Sequence, residues 1–224
     1  MSINRFAPLA LLLFSVPVGA ANIYTQNFEG AVGTEWSGSG SVQSTGGLSG
    51  YGFGTQHWRN DTTGSTTLTL SGLAAHSQVT LTFNLVLWDS TDLLGDRFIV
   101  QADSNTLYDE SRDFGNYFPG DNLGRGPGTL ITPAFTGFPD PNFGYNSFYR
   151  DSARTVSFTF AHTASTLAIT WQYPNSQGAL DESFGIDNVV ISSDARPATS
   201  VVPEPSTLAL GAVGLGLLVS RLRR

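Results

Sequence analysis

An alternation of apolar and polar residues with a period of two is the feature of this chain that most restricts its fold. The clearest run places Val79, Leu81, Phe83, Leu85 and Leu87 on one side of an extended backbone. Because successive side chains of a strand point to opposite faces, this run predicts a β-strand with one buried face. The same alternation, interrupted by turn residues, predicts further strands at 22–28, 52–59, 66–70, 97–102, 155–160, 167–171 and 184–192.

Short strands with one apolar face become stable when two sheets cover a common core. The sequence therefore predicts one all-β domain over residues 22–198, folded as a two-sheet antiparallel sandwich. Within that class we expect a jelly roll.

Composition excludes several classes of protein. The chain has no cysteine, and all 11 of its basic residues are arginine. Four of those 11 and only one of the 18 acidic residues lie in the two ends, so the middle carries 7 basic and 17 acidic residues. A domain with this excess of negative charge repels the phosphates of nucleic acid and does not bind them. Without disulfides, its stability must come from packing or from a bound metal ion.

The C-terminal end combines a stiff hinge, an apolar segment and a cluster of positive charges. The hinge is Val202, Pro203, Glu204 and Pro205, and the cluster is Arg221, Arg223 and Arg224. As a helix, residues 206–222 would be about 25 Å long, a marginal length for a bilayer core about 30 Å thick. This order predicts a short transmembrane helix whose arginines stay on the cytoplasmic side.

The N-terminal end has the pattern of a signal peptide over residues 1–21. One arginine precedes an apolar stretch, and the small residues Gly19, Ala20 and Ala21 offer a cleavage site for signal peptidase. The two ends together predict that the middle of the chain is exported across the inner membrane.

The C-terminal pattern of residues 199–224, a Pro-Glu-Pro hinge, a Gly/Ala/Leu segment and terminal arginines, resembles the PEP-CTERM sorting signal. The resemblance implies recognition by an exosortase in the inner membrane of a Gram-negative bacterium. It further implies transient anchoring in that membrane, cleavage near the hinge, and release to the cell envelope or to an extracellular matrix of exopolysaccharide.

Acidic residues cluster around three of the predicted strands. Glu29 follows the first strand, Asp89 and Asp92 lie at the end of the long one, and Asp181 and Asp187 accompany the last. If the first and last strands pair, Glu29 and Asp187 approach each other. Carboxylates and carbonyls are the ligands that Ca²⁺ prefers, so we expect a structural calcium site at Glu29 and Asp187, with Asp89, Asp92 and Asp181 less favoured. A solvated turn residue or an arginine partner is the alternative for each acid.

The opening Phe28-Glu29 with Trp36, the Trp88-Asp89 turn, and the run from Asp181 to Val189 resemble secreted bacterial sandwiches related to concanavalin A-like, laminin-G and MAM domains. In the MAM-like branch an early acid and an acid on the final strand bind structural calcium, and these correspond here to Glu29 and Asp187. The cysteines of MAM domains are absent from this chain.

The sequence favours a protein that is not an enzyme. The alternating acids of laminarinase-like relatives are absent, and none of the three histidines lies beside a nucleophile elbow. A carboxyl pair formed by the Asp89 loop and Asp181, at the spacing of about 5–5.5 Å that a retaining glycosidase needs, leaves a glycoside hydrolase as the alternative.

Binding of carbohydrate is the activity that the aromatic residues suggest, because exposed rings stack on the apolar faces of sugars. The candidates are Trp58, Trp88 and Tyr149, of which Trp88 has the parity opposite to Leu87 and so points away from the core. Each ring is alternatively a core residue. We therefore expect an exported binding or structural protein of the envelope or exopolysaccharide, with a self-assembling matrix protein as a further alternative.

Overall fold

The computed structural model describes residues 20–60, 63–89, 97–111, 127–131, 151–174 and 182–195. Nearly all of residues 1–21, and all of 199–224, lie outside this range, as does most of the aromatic-rich stretch that contains Tyr149. Within the described ranges, none of the helical structure is both long enough and apolar enough to span a bilayer.

The described residues form twelve strands and one 3₁₀-helix. The strands are β1 (Ala21–Gln26), β2 (Trp36–Gly38), β3 (Ser41–Ser44), β4 (Gln56–Asn60), β5 (Ser65–Ser71), β6 (Gln78–Asp89), β7 (Arg97–Ala102), β8 (Asn105–Ser111), β9 (Thr129–Leu130), β10 (Ser152–Ala161), β11 (Thr166–Gln172) and β12 (Glu182–Ser193). The 3₁₀-helix, Gly46–Tyr51, lies between β3 and β4.

All strand pairs in the described residues are antiparallel, and they form two sheets. Sheet A has the order β3-β4-β12-β6-β10-β9, and β1 also pairs with β12. Sheet B has the order β2-β5-β11-β7-β8. The prediction of a two-sheet antiparallel sandwich is confirmed.

Four strands that alternation did not predict, β2, β3, β8 and β9, lie at the ends of the two sheet orders. An edge strand pairs along one side only and is often short, so its apolar face is narrow and its period weak. The predicted strands occupy the interior of the sheets, apart from β1.

The core lies between the sheets, where the alternating residues of β6 meet those of β11. The five apolar side chains named above for β6 are all fully buried. An aromatic stack closes one side of the core: the Trp36 ring lies 5.7 Å from that of Trp171 and 5.6 Å from that of Trp58. Phe28 packs edge-on against Trp36 at 5.1 Å. Burying one large apolar side chain contributes roughly 1.5–3 kcal/mol, so this interior dominates the stability of the domain.

A smaller apolar cluster covers the outer face of sheet A at one end. Its buried members are Leu48, Phe53, Val86, Trp88 and Ala153. The 3₁₀-helix contributes Leu48, and the segment between this helix and β4 contributes Phe53. The other members are side chains of β6 and β10.

Buried polar groups complete this outer cluster. The Arg59 guanidinium lies 4.9 Å from the centre of the Trp88 ring, and its Nε donates to Ser183 Oγ at 2.9 Å. The Trp88 indole donates to His57 Nε2 at 3.2 Å. Because Nε2 therefore accepts, the proton of neutral His57 is on Nδ1, which donates to the Gln43 carbonyl at 3.1 Å.

Gly185 of β12 provides the space in which the His57 ring lies. A Cβ atom at Gly185 would overlap the imidazole of His57 and contact Val86. Because His57 is fully buried and bonded at both nitrogens, it has no room to withdraw. We expect Gly185→Ala to destabilise the domain by about 1–3 kcal/mol, the usual cost of overpacking, measured as a lower urea midpoint.

Gly50→Ala is the matched control, because a Cβ atom there meets nothing within 4 Å. Equal urea midpoints for the two variants would contradict the packing assigned to Gly185.

Candidate functional site

Glu29 is bound to the start of β4. Its Oε1 accepts hydrogen bonds from the backbone N–H groups of Thr55 at 2.6 Å and Gln56 at 2.9 Å. Its Oε2 accepts from the Thr55 hydroxyl at 2.5 Å. These bonds favour the ionised form and hold the pKa of Glu29 below its usual range, with the Thr55 hydroxyl the largest cause.

Asp187 lies on the other side of the same segment. The N–H of Gly54 donates to its Oδ2 at 3.1 Å, and the N–H of Asn188 to its Oδ1 at 2.7 Å. The pairing of β1 with β12 therefore brings both acids to residues 54–56. Asp187 is fully buried. Burial raises the pKa of Asp187 to about 6, and the negative charge of Glu29 adds to the rise.

The two shifts act on stability in opposite directions. The raised pKa of Asp187 means that the folded chain holds this proton more tightly than the unfolded chain. Its contribution to stability is therefore lost as the pH rises from about 4 through about 6. The lowered pKa of Glu29 gives a contribution that is present at neutral pH and lost in acid.

The backbone around the two acids takes unusual conformations. Phe28 precedes Glu29 with a φ of 56°, and Asn188 follows Asp187 with a φ of 49°. The pairing of β12 with β6 is interrupted by a bulge at this point. Asn188 Nδ2 donates to the carbonyl of Gly52 at 2.7 Å, and Asn84 Nδ2 donates to the same oxygen at 3.1 Å. Left-handed non-glycine residues persist where the surrounding structure holds them, and they are frequent at binding sites.

A shallow cleft of about 260 Å³ opens beside this bulge, between the C-terminal end of β1 and the middle of β12. Its lining residues are Thr25, Gln26, Asn27, Asn188, Val189 and Val190. All six are uncharged, and four carry hydroxyl or amide groups. The cleft thus offers neutral donors and acceptors of hydrogen bonds.

The outer face of sheet A continues this uncharged surface across two strands. In three cross-strand pairs the two side chains are hydrogen-bonded to each other. The pairs are Thr80 with Thr159 at 2.9 Å, Thr82 with Ser157 at 3.1 Å, and Asn84 with Thr155 at 3.1 Å. We call these six residues the polar ladder. The β10 members are exposed and the β6 members half-buried. Because a hydroxyl group has one donor and two acceptor positions, each pair keeps capacity for a ligand.

The structure corrects the role predicted for Trp88. Its parity does place it on the outer face of sheet A, but the outer apolar cluster covers it and leaves it 1 % exposed. It therefore presents no ring face to a sugar. Trp58 is half-buried in the aromatic stack, and its indole N–H donates to Thr66 Oγ1 at 3.1 Å, so its ring serves packing.

The remaining predicted site residues lie at or beyond the limits of the described ranges. Asp92, Asp181 and Tyr149 are outside the described residues, and Asp89 is described only as the last residue of β6. The carboxyl pair required for the alternative of a glycoside hydrolase stays untested. Among the described residues, no group of three or more histidine or acidic side chains is arranged to hold a metal ion.

The polar ladder and the amides of the cleft were not predicted as functional. The alternation of Thr80, Thr82 and Asn84 marked only the solvent side of a strand. A second alternating run at 155–159 carries the same kind of residues. The repetition of small polar residues in two strands was the available signal, but only the register of β6 against β10 makes them neighbours.

Comparisons with known proteins give structural likeness alone. No protein-family model matches the chain, and no curated protein matches it in sequence. The chain is similar to the CBM22-1 xylan-binding domain of Paenibacillus barcinonensis Xyn10C, with a TM-score of 0.41 and 8% identity over 80% of this chain and 97% of that one.

It is also similar to a family 35 carbohydrate binding module from an environmental isolate, with a TM-score of 0.38 and 17% identity over 78% of this chain and all of that one. The K3 cleaved adhesin domain of the Lys-gingipain of Porphyromonas gingivalis gives a TM-score of 0.40 and 14% identity over 77% of this chain and all of that one. Likeness at this level carries no argument about function.

Proposed function

We propose that this protein is an exported, non-catalytic module that binds polysaccharide of the cell envelope or its matrix. The observation that carries the proposal is the continuous uncharged surface formed by the cleft and the polar ladder on sheet A. The surface is shallow and partly exposed to solvent, and its polar groups are hydroxyls and amides.

The chemistry of this surface suits neutral sugars. A sugar hydroxyl both donates and accepts, as do threonine, serine and asparagine side chains, so either partner can adapt to the other. An anionic polymer is disfavoured, because the middle of the chain carries 17 acidic and only 7 basic residues. The aligned groups along β6 and β10 offer repeated contacts to an extended chain.

Removing the central pair of the ladder tests the binding surface. We expect Thr82→Val combined with Ser157→Ala to weaken retention by neutral polysaccharide about thirtyfold, because two hydrogen-bonding groups at roughly 1 kcal/mol each are lost. Both positions are on the outer face of sheet A, so the fold should persist. The measurement is affinity electrophoresis through gels containing a panel of soluble glycans.

Thr67→Val combined with Thr170→Val is the matched control, because this hydroxyl pair (3.2 Å apart) lies on sheet B. If a glycan retains the ladder variant as strongly as the wild type, the polar ladder is not the binding surface. Release of reducing ends from the same glycans would favour the hydrolase instead.

We further propose that a calcium ion ties β1, β12 and the start of β4 together at Glu29 and Asp187. The two carboxylates supply hard oxygen ligands of the kind that calcium prefers. A buried carboxylate whose pKa is raised beside a second acid is a position where a cation would relieve both desolvation and repulsion. The calcium would supply a structural cross-link in a chain without cysteine.

Thermal unfolding with calcium and with excess chelator tests this site. We expect calcium at about pH 7.5 to raise the melting temperature by several degrees, since each kcal/mol corresponds to about 2–4 °C for a chain of this size. At about pH 5 the rise should be smaller, because a pKa near 6 leaves Asp187 largely protonated and metal ligands must be deprotonated.

Glu29→Gln and Asp187→Asn should each remove the calcium-dependent rise, whereas Asp109→Asn, an acid of β8 paired with Arg97, should keep it. The measured quantity is the difference in melting temperature between calcium and chelator for each variant. A change in stability caused by the substitution itself does not affect this difference. Superimposable curves with calcium and chelator at both pH values would exclude the site.

Export and sorting complete the proposal and rest on the residue pattern of the two ends. Mass spectrometry of the intact protein recovered from the envelope of an exosortase-positive host tests both export and sorting, because the molecular mass shows where the two ends have been cleaved. We expect an N-terminus after residue 20 or 21 and a C-terminus near the Pro-Glu-Pro hinge. Replacing Pro203, Glu204 and Pro205 by alanine should leave the C-terminal segment attached, whereas Ser200→Ala should be processed normally. A wild-type protein recovered with both original ends would overturn this part.

A further inference from the structure

Three turns at one end of the sandwich are joined by two histidines and an aspartate. His76 precedes β6, His162 follows β10, and Asp103 lies in the turn between β7 and β8. The turns belong to different sheets, because β6 and β10 are in sheet A whereas β7 and β8 are in sheet B. We call this group the histidine clasp.

The contacts of the clasp form one line. His76 Nδ1 lies 2.6 Å from the carbonyl oxygen of Ala74, and His76 Nε2 lies 2.7 Å from His162 Nδ1. His162 Nε2 lies 3.2 Å from Asp103 Oδ2, an ionic contact that is not a well-aligned hydrogen bond. The ring centres are 5.0 Å apart and the ring planes 18° apart, so the two imidazoles are nearly coplanar and meet edge to edge at the short N–N contact. The side chain of His162 is 6% exposed.

Counting protons along this line indicates a positive charge on the pair. A carbonyl oxygen only accepts, so His76 Nδ1 carries a proton, and a carboxylate attracts a proton on His162 Nε2. Between the rings, one nitrogen must donate and the other accept. The two imidazoles then hold three protons in total, one more than two neutral rings hold.

With fewer or more than three protons on the two imidazoles, at least one contact along this line becomes repulsive. With two protons, the lone pair of one nitrogen faces a carbonyl or a carboxylate oxygen at contact distance. With four, two N–H groups face each other across 2.7 Å. Each arrangement replaces an attraction by a repulsion at a site where His162 is shielded from water.

We propose that His76 and His162 share a single extra proton in the folded protein, and that this positively charged pair holds the turns of the two sheets together through Asp103. The inference is independent of the proposed binding surface and of the calcium site.

Neighbouring groups support the positive charge. Asp103 accepts the N–H of Ala168 on Oδ1 at 2.9 Å and keeps Oδ2 for His162. Asp194 accepts the N–H groups of Ser77 and Gln78, immediately after His76, and these bonds lower the pKa of Asp194 to about 2, with the Ser77 hydroxyl the largest cause. Among the described residues, the charged groups at this end are therefore Asp103 and Asp194. The Phe160 ring packs edge-on against His162.

Nitrogen NMR of the folded protein, labelled with ¹⁵N-histidine, tests the proton count. At neutral pH we expect three protonated nitrogens and one unprotonated nitrogen for His76 and His162 together. His57, which is neutral and protonated on Nδ1 by its own hydrogen bonds, is the internal reference. Two singly protonated rings for the clasp would overturn the proposal.

A pH series of melting temperatures separates charge sharing from a merely structural contact. Asp103→Asn keeps the acceptor for Ala168 and suits the left-handed φ of 52° at this turn, but it removes the carboxylate. We expect the wild type to melt a few degrees higher than this variant at neutral pH. At a pH high enough for both imidazoles to be neutral, the pair has no charge to attract the carboxylate, so the difference should disappear there.

Asp109→Asn removes the same charge on β8 away from the clasp, and its melting temperatures should follow the wild type in parallel. A difference between wild type and Asp103→Asn that stays constant with pH would show an ordinary turn contact and refute charge sharing.

Discussion

The position of β12 is the constraint on which the rest of this structure depends. It pairs with β6 along one edge and with β4 and β1 along the other, so the last strand of the domain holds the first. Its inward side chains, among them Phe184, Ile186 and Ile191, complete the core between the sheets. Its bulge after Asp187 turns one carboxylate toward residues 54–56, where Glu29 arrives from the end of β1.

The outer face of sheet A is divided between two uses. At one end the 3₁₀-helix covers Val86 and Trp88, and Arg59 and His57 satisfy the indole and the buried serine beside it. At the other end the polar ladder and the cleft stay open. Because the ends of β6 differ in this way, a single strand contributes to the inner core, to a closed apolar cluster and to a solvent-facing hydroxyl surface.

Several charged side chains join segments of the described part of the chain. Glu29, Asp187 and Asp194 each accept backbone N–H groups that would otherwise lack a partner at strand ends, and Arg97 pairs with Asp109 on sheet B. The stability contributed by the first two changes with pH in opposite senses. An acidic domain without disulfides thus uses its carboxylates as local ties between chain segments.

Alternation in the sequence determined the class of fold and the inward-facing residues of the interior strands. Those strands bury a full face, and burial of an apolar face is what a period of two records. The four unpredicted strands are at the sheet edges, where this signal is weakest. The proximity of Glu29 and Asp187 also followed from the sequence, given one assumption about which strands pair.

Other properties required the tertiary structure, because they depend on what covers a residue or lies across a strand. Trp88 points outward as its parity indicates, yet the cover supplied by Leu48 and Phe53 decides that it is buried. The polar ladder exists only in the register that sets Thr82 opposite Ser157, and the histidine clasp only where turns of two sheets meet. Local pattern states which face a side chain takes, whereas contacts between residues far apart in the chain decide its neighbours, its exposure and its charge.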